Sequence, residues 1–379
     1  MNLNSSSSLD FGDERRISGG GRFLHQIHLD GPLLFALLLL SGIGLIVIYS
    51  AGSQDSGLMF RQILRLTLGF IIMIAIAQIH PRTLSHWAPW IFAAGILMLV
   101  LVLLLGDIGK GARRWLNLGL FRFQPSELMK LALPMMIAYY LSNSPLPPRK
   151  LRLLVCSLLL VFPTILVAKQ PDLGTALLIA SSGIFALFLS GIRWRLIISM
   201  FIVLAASTPF AWNMMHDYQQ RRVLTFLNPE SDPLGSGYHI IQSTIAIGSG
   251  GIYGKGWLNG TQSHLDFLPE RSTDFIFAVL SEEFGLIGVL LLLVIYLFIT
   301  ARGLMIASQA QDTFTRLLAG SLTLTFFVYI FVNIGMVSGL LPVVGVPLPL
   351  ISYGGTSLVT ILAGFGILMS IKTNRKLVG

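Results

Sequence analysis

Charged residues are scarce in this sequence. Only 11% of the residues are Asp, Glu, Lys or Arg, whereas 54% are hydrophobic and the mean hydropathy is +0.76. Because soluble domains carry about 25% charged residues, a soluble globular protein is excluded. We expect an integral membrane protein.

The sequence also has almost no cysteine and no nucleotide-binding pattern. The single cysteine, Cys156, lies in an apolar run, which excludes a disulfide framework. Neither a Walker A motif nor a Gly-rich dinucleotide loop is present, so no nucleotide cofactor is expected. The net charge of +9 comes without a nucleic-acid-binding motif, and we attribute it to membrane orientation and to nearby lipid phosphate.

Long hydrophobic runs are what the sequence does contain. A helix needs about 20 apolar residues to cross a bilayer. We predict an all-α polytopic membrane protein with ten transmembrane helices. The predicted spans cover residues 31–50, 61–80, 87–106, 125–143, 152–168, 173–190, 196–215, 274–300, 317–339 and 354–371.

The two ends of the chain are polar. Residues 1–30 contain a serine run and a glycine run and are predicted to form a disordered cytoplasmic tail. The ten-helix domain covers 31–371, and 372–379 form a cytoplasmic C-terminal tail. No cleavable signal peptide is expected, because the first apolar run is followed by further spans. Lys and Arg concentrate in alternate connections, which places both termini in the cytoplasm.

Two outward segments disturb this regular pattern. Residues 107–124 form a short loop that is basic although it faces outward. Residues 216–273 form a large, Gly-rich extracytoplasmic loop between helices 7 and 8, and long loops of this kind are usually functional or disordered. The basic loop is explained either by binding to an anionic headgroup or pyrophosphate, or by a misplaced span.

Within the basic loop, Lys110, Arg113 and Arg114 are candidate pyrophosphate ligands, because guanidinium forks match phosphate oxygens. The adjacent Trp115 is a candidate either for interfacial anchoring or for stacking on a sugar.

A helix is predicted to follow the basic loop. Pro125 suits its first turn, which makes Gln124 the candidate N-cap. Glu127 and Lys130 are three residues apart and therefore share a face of this helix. They form either an internal ion pair or the lining of a polar cavity under the basic loop.

Two further outward segments carry charge. A proline and a glycine interrupt residues 169–175, where Lys169 and Asp172 are placed to neutralise each other and hold a tight turn. Arg61 and Arg65 lie one helical turn apart at the start of the second span. They either extend to lipid headgroups or join the same basic pocket.

Asp274 lies where the large loop meets the eighth span. Ser272 or Thr273 is predicted to cap a helix that begins at Asp274, and a carboxylate in a first turn is favoured by the helix dipole. Asp274 also suits a general base or an oxygen ligand of a divalent cation. Glu282 and Glu283 follow on the same predicted helix about 12 Å deeper, where charge predicts a functional partner. Their role in catalysis, coupling or packing stays open.

The last motif, residues 339–357, is rich in proline and glycine. We predict an ordered, non-helical outward loop, because such backbone is tolerated at membrane depth only where it is buried or lines a cavity. With few ionisable groups, the loop is expected to shape a site, through Pro347, Ser352 and Gly354.

Taken together, these segments resemble the SEDS family (shape, elongation, division and sporulation), the RodA and FtsW proteins of bacterial cell-wall synthesis. The resemblance covers nearly the whole chain beyond the N-terminal tail, with the motifs in family order. Residues 268–274 look closer to RodA, the elongation member, than to FtsW. The matching segments are 110–115 with 124–127, 169–175, 268–277 with Glu282 and Glu283, and 342–357.

The resemblance implies the SEDS fold and a peptidoglycan glycosyltransferase that polymerises lipid II during lateral cell-wall elongation, in the bacterial cytoplasmic (inner) membrane. The essential aspartate of the family falls on Asp274. A divalent cation, Mg or Mn, is implied, with unknown ligands. Implied partners are a class B penicillin-binding protein, lipid II, undecaprenyl pyrophosphate and other rod-complex membrane proteins. The candidate substrate-binding residues are Arg61, Lys110, Arg113, Arg114, Trp115, Gln124, Ser126, Glu127, Lys130, Lys169 and Asp172.

Two alternative functions remain. A lipid II flippase would also need intramembrane charges and broken spans. However, the charges cluster on the outward half, and the two halves of the chain show no repeat. A non-catalytic scaffold for the penicillin-binding protein would leave Asp274, Arg113 and Arg114 unexplained.

Overall fold

The computed structural model describes residues 28–109, 112–117, 122–192, 217–232, 235–264 and 270–374, with isolated positions between 195 and 213. Most of the predicted N-terminal tail, Lys110 and most of the predicted seventh span lie outside the described residues. The side chain of Arg113 does as well.

The described part of the chain is mainly helical. The helices are α1 (Gly31–Ala51), α2 (Ser56–Ala77), α3 (Pro81–Leu105), α4 (Pro125–Ser142), α5 (Lys150–Ala168), α6 (Leu173–Leu189), α7 (Asp217–Leu227), α8 (Ser236–Ser249), the one-turn α9 (Thr261–His264), α10 (Ile276–Ser308), α11 (Thr313–Val337) and α12 (Thr356–Thr373). Three short strands lie between α3 and α4, namely β1 (Asp107–Gly109), β2 (Ala112–Asn117) and β3 (Arg122–Phe123).

These helices confirm a multi-pass membrane protein. Within the described ranges, α1, α2, α3, α5, α10, α11 and α12 are long and apolar enough to cross a bilayer, and α6 is a shorter apolar helix. α4 occupies the predicted fourth span but carries Glu127 and Lys130 near its start. The predicted number of ten spans is untested, because the seventh lies outside the described residues.

α11 lies at the centre of the helix bundle. It packs against α4, α6, α10 and α12. In its most apolar stretch 72% of the residues are buried, compared with 22% in each of α2, α3 and α5. Small residues allow this close packing, since a Cβ on Gly303 of α10 would lie 2.5 Å from the Thr323 hydroxyl of α11. The peripheral helices instead expose large apolar side chains, as expected of surfaces that face lipid.

The basic loop folds into a three-stranded antiparallel sheet in the order β1-β2-β3. The all-α prediction holds for the membrane body but missed this sheet. β1 and β3 have only three and two residues, too few to show a period-two pattern, and the six residues of β2 do not alternate between apolar and polar. The sheet rests on α3 and α4 and holds Arg114 and Trp115 at the outer side of the bundle.

The large loop is a folded cap and not an irregular connection. It contains α7, α8 and α9, and α8 packs on the outer ends of α10 and α11. Ser243 of α8 is buried and donates a hydrogen bond from its Oγ to the carbonyl oxygen of Val337, at 2.8 Å. The loop therefore closes the outer side of the bundle directly above α11.

The predicted continuous span 274–300 is wrong in one respect. Its helix begins at Ile276 and is broken at Gly285, where φ is 61° and ψ is −162°. Large exposed apolar side chains on α10 begin only after the break, at Leu286, and continue to Met305. This stretch is about 30 Å long, the thickness of the hydrocarbon core. Glu282 and Glu283 therefore precede the lipid-facing part of α10.

At the end of the bundle that is predicted to be cytoplasmic, an ion pair between two described residues is buried. Asp30, expected in the polar tail, is buried, caps α1 by accepting a hydrogen bond from the Leu33 amide at 3.1 Å, and pairs with Arg302 of α10 at 2.7 Å. The folded body therefore includes Asp30, which ties the inner ends of two helices together.

Candidate active site at the outer ends of α4, α10 and α11

Asp274 lies in a turn that precedes α10. Residues 270–275 form this turn, and Phe275 is the N-cap of α10 with no side-chain cap. The prediction that Ser272 or Thr273 caps a helix beginning at Asp274 is therefore wrong. The Thr273 hydroxyl instead bonds within the turn, to the carbonyl oxygen of Glu270 at 3.1 Å. Asp274 therefore lies outside the first turn of α10, and a favourable interaction with the helix dipole there does not explain its carboxylate.

Three successive carbonyl groups of the Asp274 turn are held from outside it. The Tyr353 amide donates to Ser272 at 2.8 Å, and the Ser352 hydroxyl donates to Thr273 at 2.6 Å. Asn333 of α11 donates to the carbonyl oxygen of Asp274 at 2.9 Å and to that of Val346 at 2.7 Å. The last sequence motif and α11 together immobilise the backbone that carries the carboxylate.

The Asp274 side chain is half-buried and lies beside Gly345. A Cβ at Gly345 would lie 3.4 Å from the Asp274 Oδ2 atom, and this glycine has a φ of +76°. Glycine is favoured here both by the left-handed backbone and by the open space that it leaves at the carboxylate. Gly345 is itself exposed, so the carboxylate borders an accessible surface.

The predicted pair of Glu127 and Lys130 is present and buried. Lys130 Nζ donates to Glu127 Oε1 at 2.7 Å and to the Tyr329 hydroxyl at 2.6 Å. Tyr329 lies four residues before Asn333 on α11, so the two side chains share a face about 6 Å apart along the axis. The ion pair of α4 therefore lies one helical turn below the residue that holds Asp274.

A small, open cavity with a mainly apolar lining extends inward from this ion pair, between α4, α11 and α12. Lys130 and Tyr329 form its polar end. Deeper in the bundle it is lined largely by apolar side chains, including Leu131, Phe326 and Phe365.

Arg114 of the basic loop binds the turn between α5 and α6. Its Nη2 donates to the Pro171 carbonyl oxygen at 2.6 Å, and its Nε lies 3.6 Å from Asp172 Oδ2. Gln124 donates to the same carboxylate at 3.3 Å, while the other Asp172 oxygen caps α6. The expected pair of Lys169 with Asp172 is wrong, because Arg114 takes that place and the Lys169 side chain is exposed.

The Asp172 turn also reaches the loop beside Asp274. A Cβ on Gly174 would lie 2.7 Å from the Val344 carbonyl oxygen, one residue before Gly345. The structure thus brings together motifs that are far apart in the sequence: the basic loop, the Asp172 turn, the last loop and the Asp274 turn. Trp115 is half-buried on the same sheet as Arg114, and Ser126 is buried in the first turn of α4.

Arg61 and Arg65 have different surroundings. Arg61 lies 3.7 Å from Asp55, and both side chains are more than half exposed, at 57% and 52%. The Arg65 guanidinium lies 4.4 Å from the centre of the Tyr353 ring, in the loop that holds the Asp274 turn. Arg65, and not Arg61, is therefore the arginine of α2 that packs against the site.

Glu282 and Glu283 bind different elements. Glu282 is fully buried and accepts hydrogen bonds from Lys255 at 2.7 Å and from Thr261 at 3.0 Å. Glu283 accepts a hydrogen bond from Ser50 of α1. The two carboxylates join the start of α10 to the large loop and to α1, respectively.

Three further polar residues near Asp274 were not among the candidates of the sequence analysis. Tyr329 and Asn333 are buried polar residues four positions apart in an apolar helix, and this spacing was the available signal. His239 of α8 stacks on Phe275, with ring centres 5.6 Å apart. Burial lowers the pKa of His239 below its ordinary value, although nearby Glu270 and Asp232 oppose the shift.

Residues 32–377 match the FtsW, RodA and SpoVE family, which is described as a family of cell cycle proteins. The chain belongs to this family. The motifs that meet around Asp274 are thus the outer face of an FtsW/RodA/SpoVE membrane domain.

Individual relatives of the FtsW/RodA/SpoVE family agree with this assignment. The peptidoglycan glycosyltransferase MrdB of Escherichia coli K12 is 56% identical over 94% of this chain and 96% of its own length. The peptidoglycan glycosyltransferase RodA of Treponema pallidum is 32% identical over 91% of this chain and 98% of its own.

Solved structures support the same family fold. A chain from a peptidoglycan synthase complex that coordinates polymerization and crosslinking superposes with a TM-score of 0.81, at 34% identity, over 92% of this chain and 98% of that one. The rod shape determining protein RodA of Thermus thermophilus superposes with a TM-score of 0.70, at 29% identity, over 91% and 97%.

Proposed function

We propose that this chain is a peptidoglycan glycosyltransferase that polymerises lipid II, with Asp274 as the general base. The observation that carries the proposal is the Asp274 carboxylate itself, which is half-buried at the outer boundary and borders an accessible surface. Its backbone is held by Asn333, and the two preceding carbonyl groups are held by Ser352 and Tyr353. The names of the relatives support the same activity.

The reaction requires one proton transfer and one exchange of bonds at carbon. Asp274 takes the proton from the 4-hydroxyl of the acceptor sugar while that oxygen bonds to the anomeric carbon of the donor. The bond from this carbon to the pyrophosphate oxygen breaks, and undecaprenyl pyrophosphate leaves with the electron pair. A fixed backbone supports this role because a general base must lie within hydrogen-bonding reach of its proton.

Negative charge develops on the leaving pyrophosphate, and cations near the site would stabilise it. Arg114 is held at the outer surface by Pro171 and Asp172, and Lys130 lies buried beneath, paired with Glu127. We assign the pyrophosphate to this basic side of the site. Arg113 and Lys110 belong to the same proposal, although their side chains lie outside the described residues.

A divalent cation remains proposed, although the described residues do not form a binding site for it. Among the residues that the structure describes, no group of three or more His, Cys, Asp or Glu side chains is placed to hold a metal ion. The described protein groups alone therefore do not fit such a site, and we derive no step through a metal.

The cellular setting is also proposed. We place the protein in the bacterial cytoplasmic membrane with both termini inside, in agreement with the basic connections on that side. A class B penicillin-binding protein is the proposed transpeptidase partner, with other rod-complex proteins nearby. The structural relative taken from a peptidoglycan synthase complex supports such a partnership.

The decisive experiment is glycan synthesis from labelled lipid II by the purified protein with its penicillin-binding partner, whose transpeptidase is blocked. Asp274→Asn is expected to lower the rate at least about a hundredfold, the usual minimum contribution of a general base. Glu230→Gln is the matched control, because Glu230 is an exposed carboxylate on the same outward side and should leave the rate unchanged.

Other outcomes would redirect the assignment. Equal polymer synthesis by Asp274→Asn and the unaltered protein would move the base elsewhere. Absence of polymer from both, with lipid II transport in vesicles, would favour a flippase. The cavity below Lys130 argues against transport, because its inner lining is mainly apolar and a flippase needs a polar path through the membrane.

A further inference from the structure

The segment 250–262 of the large loop fills the break in α10. Its backbone pairs with both sides of Gly285, at the boundary where the lipid-facing part of the helix begins. Amide and carbonyl groups that the broken helix leaves without helical partners are satisfied in this way. The hydrogen bonds run from the amides of Lys255 and Gly256 to the carbonyl oxygens of Glu282 and Glu283, and from the amides of Leu286 and Ile287 to the carbonyl oxygens of Gly251 and Ile252, all between 3.0 and 3.2 Å.

The approach of the two backbones requires glycine. Gly254 has a φ of +79°, and a Cβ at this position would overlap the Glu283 carbonyl group. A Cβ on Gly250 would overlap the carbonyl oxygen of Ser281. These glycines of the large loop therefore allow its close packing onto α10.

The Glu282 side chain binds the C-terminal part of this segment. It is 0% exposed and forms an ion pair with Lys255 at 2.7 Å, where the lysine is 28% exposed. Its carboxylate also accepts a hydrogen bond from the Thr261 hydroxyl at 3.0 Å and from the Gln262 amide at 3.1 Å. A buried carboxylate is tolerated when such charge-assisted bonds replace its hydration.

These contacts define the ends of the segment that carries Asp274. Gln262, just before this segment, is bound to Glu282, and Ile276, just after it, begins the same helix that contains Glu282. Both ends are thus attached to one rigid element less than two helical turns long. Closing the segment between fixed ends restricts the positions that its backbone can adopt.

We propose that Glu282, paired with Lys255, is a positioning residue for glycosyl transfer: it clamps the segment that presents Asp274. This inference rests on the proposed function but makes a separate claim about the chain. Glu282 contacts the loop and not the Asp274 carboxylate in the described contacts, so its effect on Asp274 passes through the first turns of α10 and the turn that precedes them.

The test uses Glu282→Ala and Glu282→Gln in the full-length protein with its partner. Because a misplacement of about 1 Å can cost a hundredfold, Glu282→Ala should lower kcat about tenfold to a hundredfold. KM should change by less than about threefold, since the substrate contacts remain. Glu282→Gln should fall in between, because its amide oxygen still accepts hydrogen bonds from Gln262 and Thr261 but lacks the charge that pairs with Lys255.

A second readout does not depend on activity. Hydrogen exchange of the backbone amides in 250–262 and 270–276 should become faster in Glu282→Ala, because the clamp that protects both segments is removed. Lys255→Met should show the same pattern, because it leaves the buried Glu282 carboxylate without its cation. Glu282→Gln is the variant of choice if Glu282→Ala does not fold, because it keeps a hydrogen-bond acceptor at the site and leaves no buried charge unpaired.

The matched control is Asp30→Asn at the cytoplasmic end. The pair of Asp30 with Arg302 has the same 2.7 Å separation and similar side-chain exposures, 3% and 21%, as the pair of Glu282 with Lys255. Asp30→Asn should lower Tm while kcat stays within about twofold and exchange of 250–276 stays unchanged, because no described contact links this pair to the outer loop.

Two results would overturn the inference. One is unchanged kcat and unchanged exchange in Glu282→Ala. The other is an equal loss of activity in Glu282→Ala and Asp30→Asn, in proportion to the loss of folded protein. If the unaltered protein makes no polymer, the proposed function fails, but the exchange measurement still decides whether the clamp exists.

Discussion

The outer and cytoplasmic ends of the molecule both contain buried ion pairs, yet they place them in different surroundings. At the end predicted to be cytoplasmic, the Asp30 and Arg302 pair joins the start of α1 to an unbroken stretch of α10. At the outer end, the pairs of Lys130 and of Glu282 lie next to a broken helix, tight turns and a non-helical loop. Irregular backbone is costly at membrane depth and persists where protein or a cavity surrounds it. An intramembrane charge therefore indicates function most strongly where the nearby backbone is irregular as well.

Removing the cation of the Glu127 and Lys130 pair in α4 should have the largest effect on activity and stability. Lys130→Met leaves Glu127 buried without its cation, so stability should fall by about 3–5 kcal/mol. Polymerisation should fall at least about a hundredfold, because the site loses a preorganised cation. Glycan synthesis and thermal unfolding in detergent are the measurements.

A double variant separates the two effects. Glu127→Leu combined with Lys130→Met replaces the pair by apolar groups and should recover most of the lost stability without recovering activity. Asp30→Asn should lower stability and leave polymerisation unchanged. Recovery of polymerisation by the double variant would show that the outer pair, like the cytoplasmic one, only supports the fold.

A smaller effect is expected from alanine substitution at two glycines with similar backbone conformations, one at each end of the molecule. Gly345 has a φ of +76° beside Asp274, and Gly191 has a φ of +84° at the opposite end of the bundle, where an added Cβ would meet the Pro147 side chain at 4.0 Å. Alanine at either position should cost about 1–2 kcal/mol of stability through left-handed strain. Only Gly345→Ala should reduce polymerisation, by about tenfold, because its methyl group would cover one side of the Asp274 carboxylate.

Steady-state kinetics and unfolding of the two glycine variants, measured side by side, check this prediction. Equal activity in Gly345→Ala and Gly191→Ala would mean that the space beside Asp274 is not used by the substrate.

The smallest effect is expected at Arg61. Because its pair with Asp55 is largely exposed, Arg61→Gln should change stability by less than about 1 kcal/mol. If Arg61 binds lipid II, as its place among the candidate substrate-binding residues implies, KM for lipid II should rise about twofold to fivefold while kcat stays the same. An unchanged KM would remove Arg61 from the site and leave Arg65 as the arginine of α2 that belongs to it.

Local sequence rules predicted the features that depend on neighbours along the chain. The spacing of Glu127 and Lys130 predicted their ion pair, and Pro125 predicted the start of α4. Rules of the same kind failed where a residue from a distant segment takes the place of the predicted partner. Asp172 pairs with Arg114 of the basic loop and not with Lys169, because a sheet that the sequence did not reveal carries the arginine to it.

The sequence by itself determined that the chain crosses a membrane, where most of its spans begin and end, and which outward segments carry the charge. These properties follow from hydropathy and from spacing within a few residues. Only the tertiary structure decided that α10 breaks at Gly285, that α8 folds over α11, and that Tyr329 and Asn333 connect the Lys130 pair to Asp274. The reason is physical: each of these features depends on hydrogen bonds and packing between segments tens to hundreds of residues apart, which no local pattern encodes.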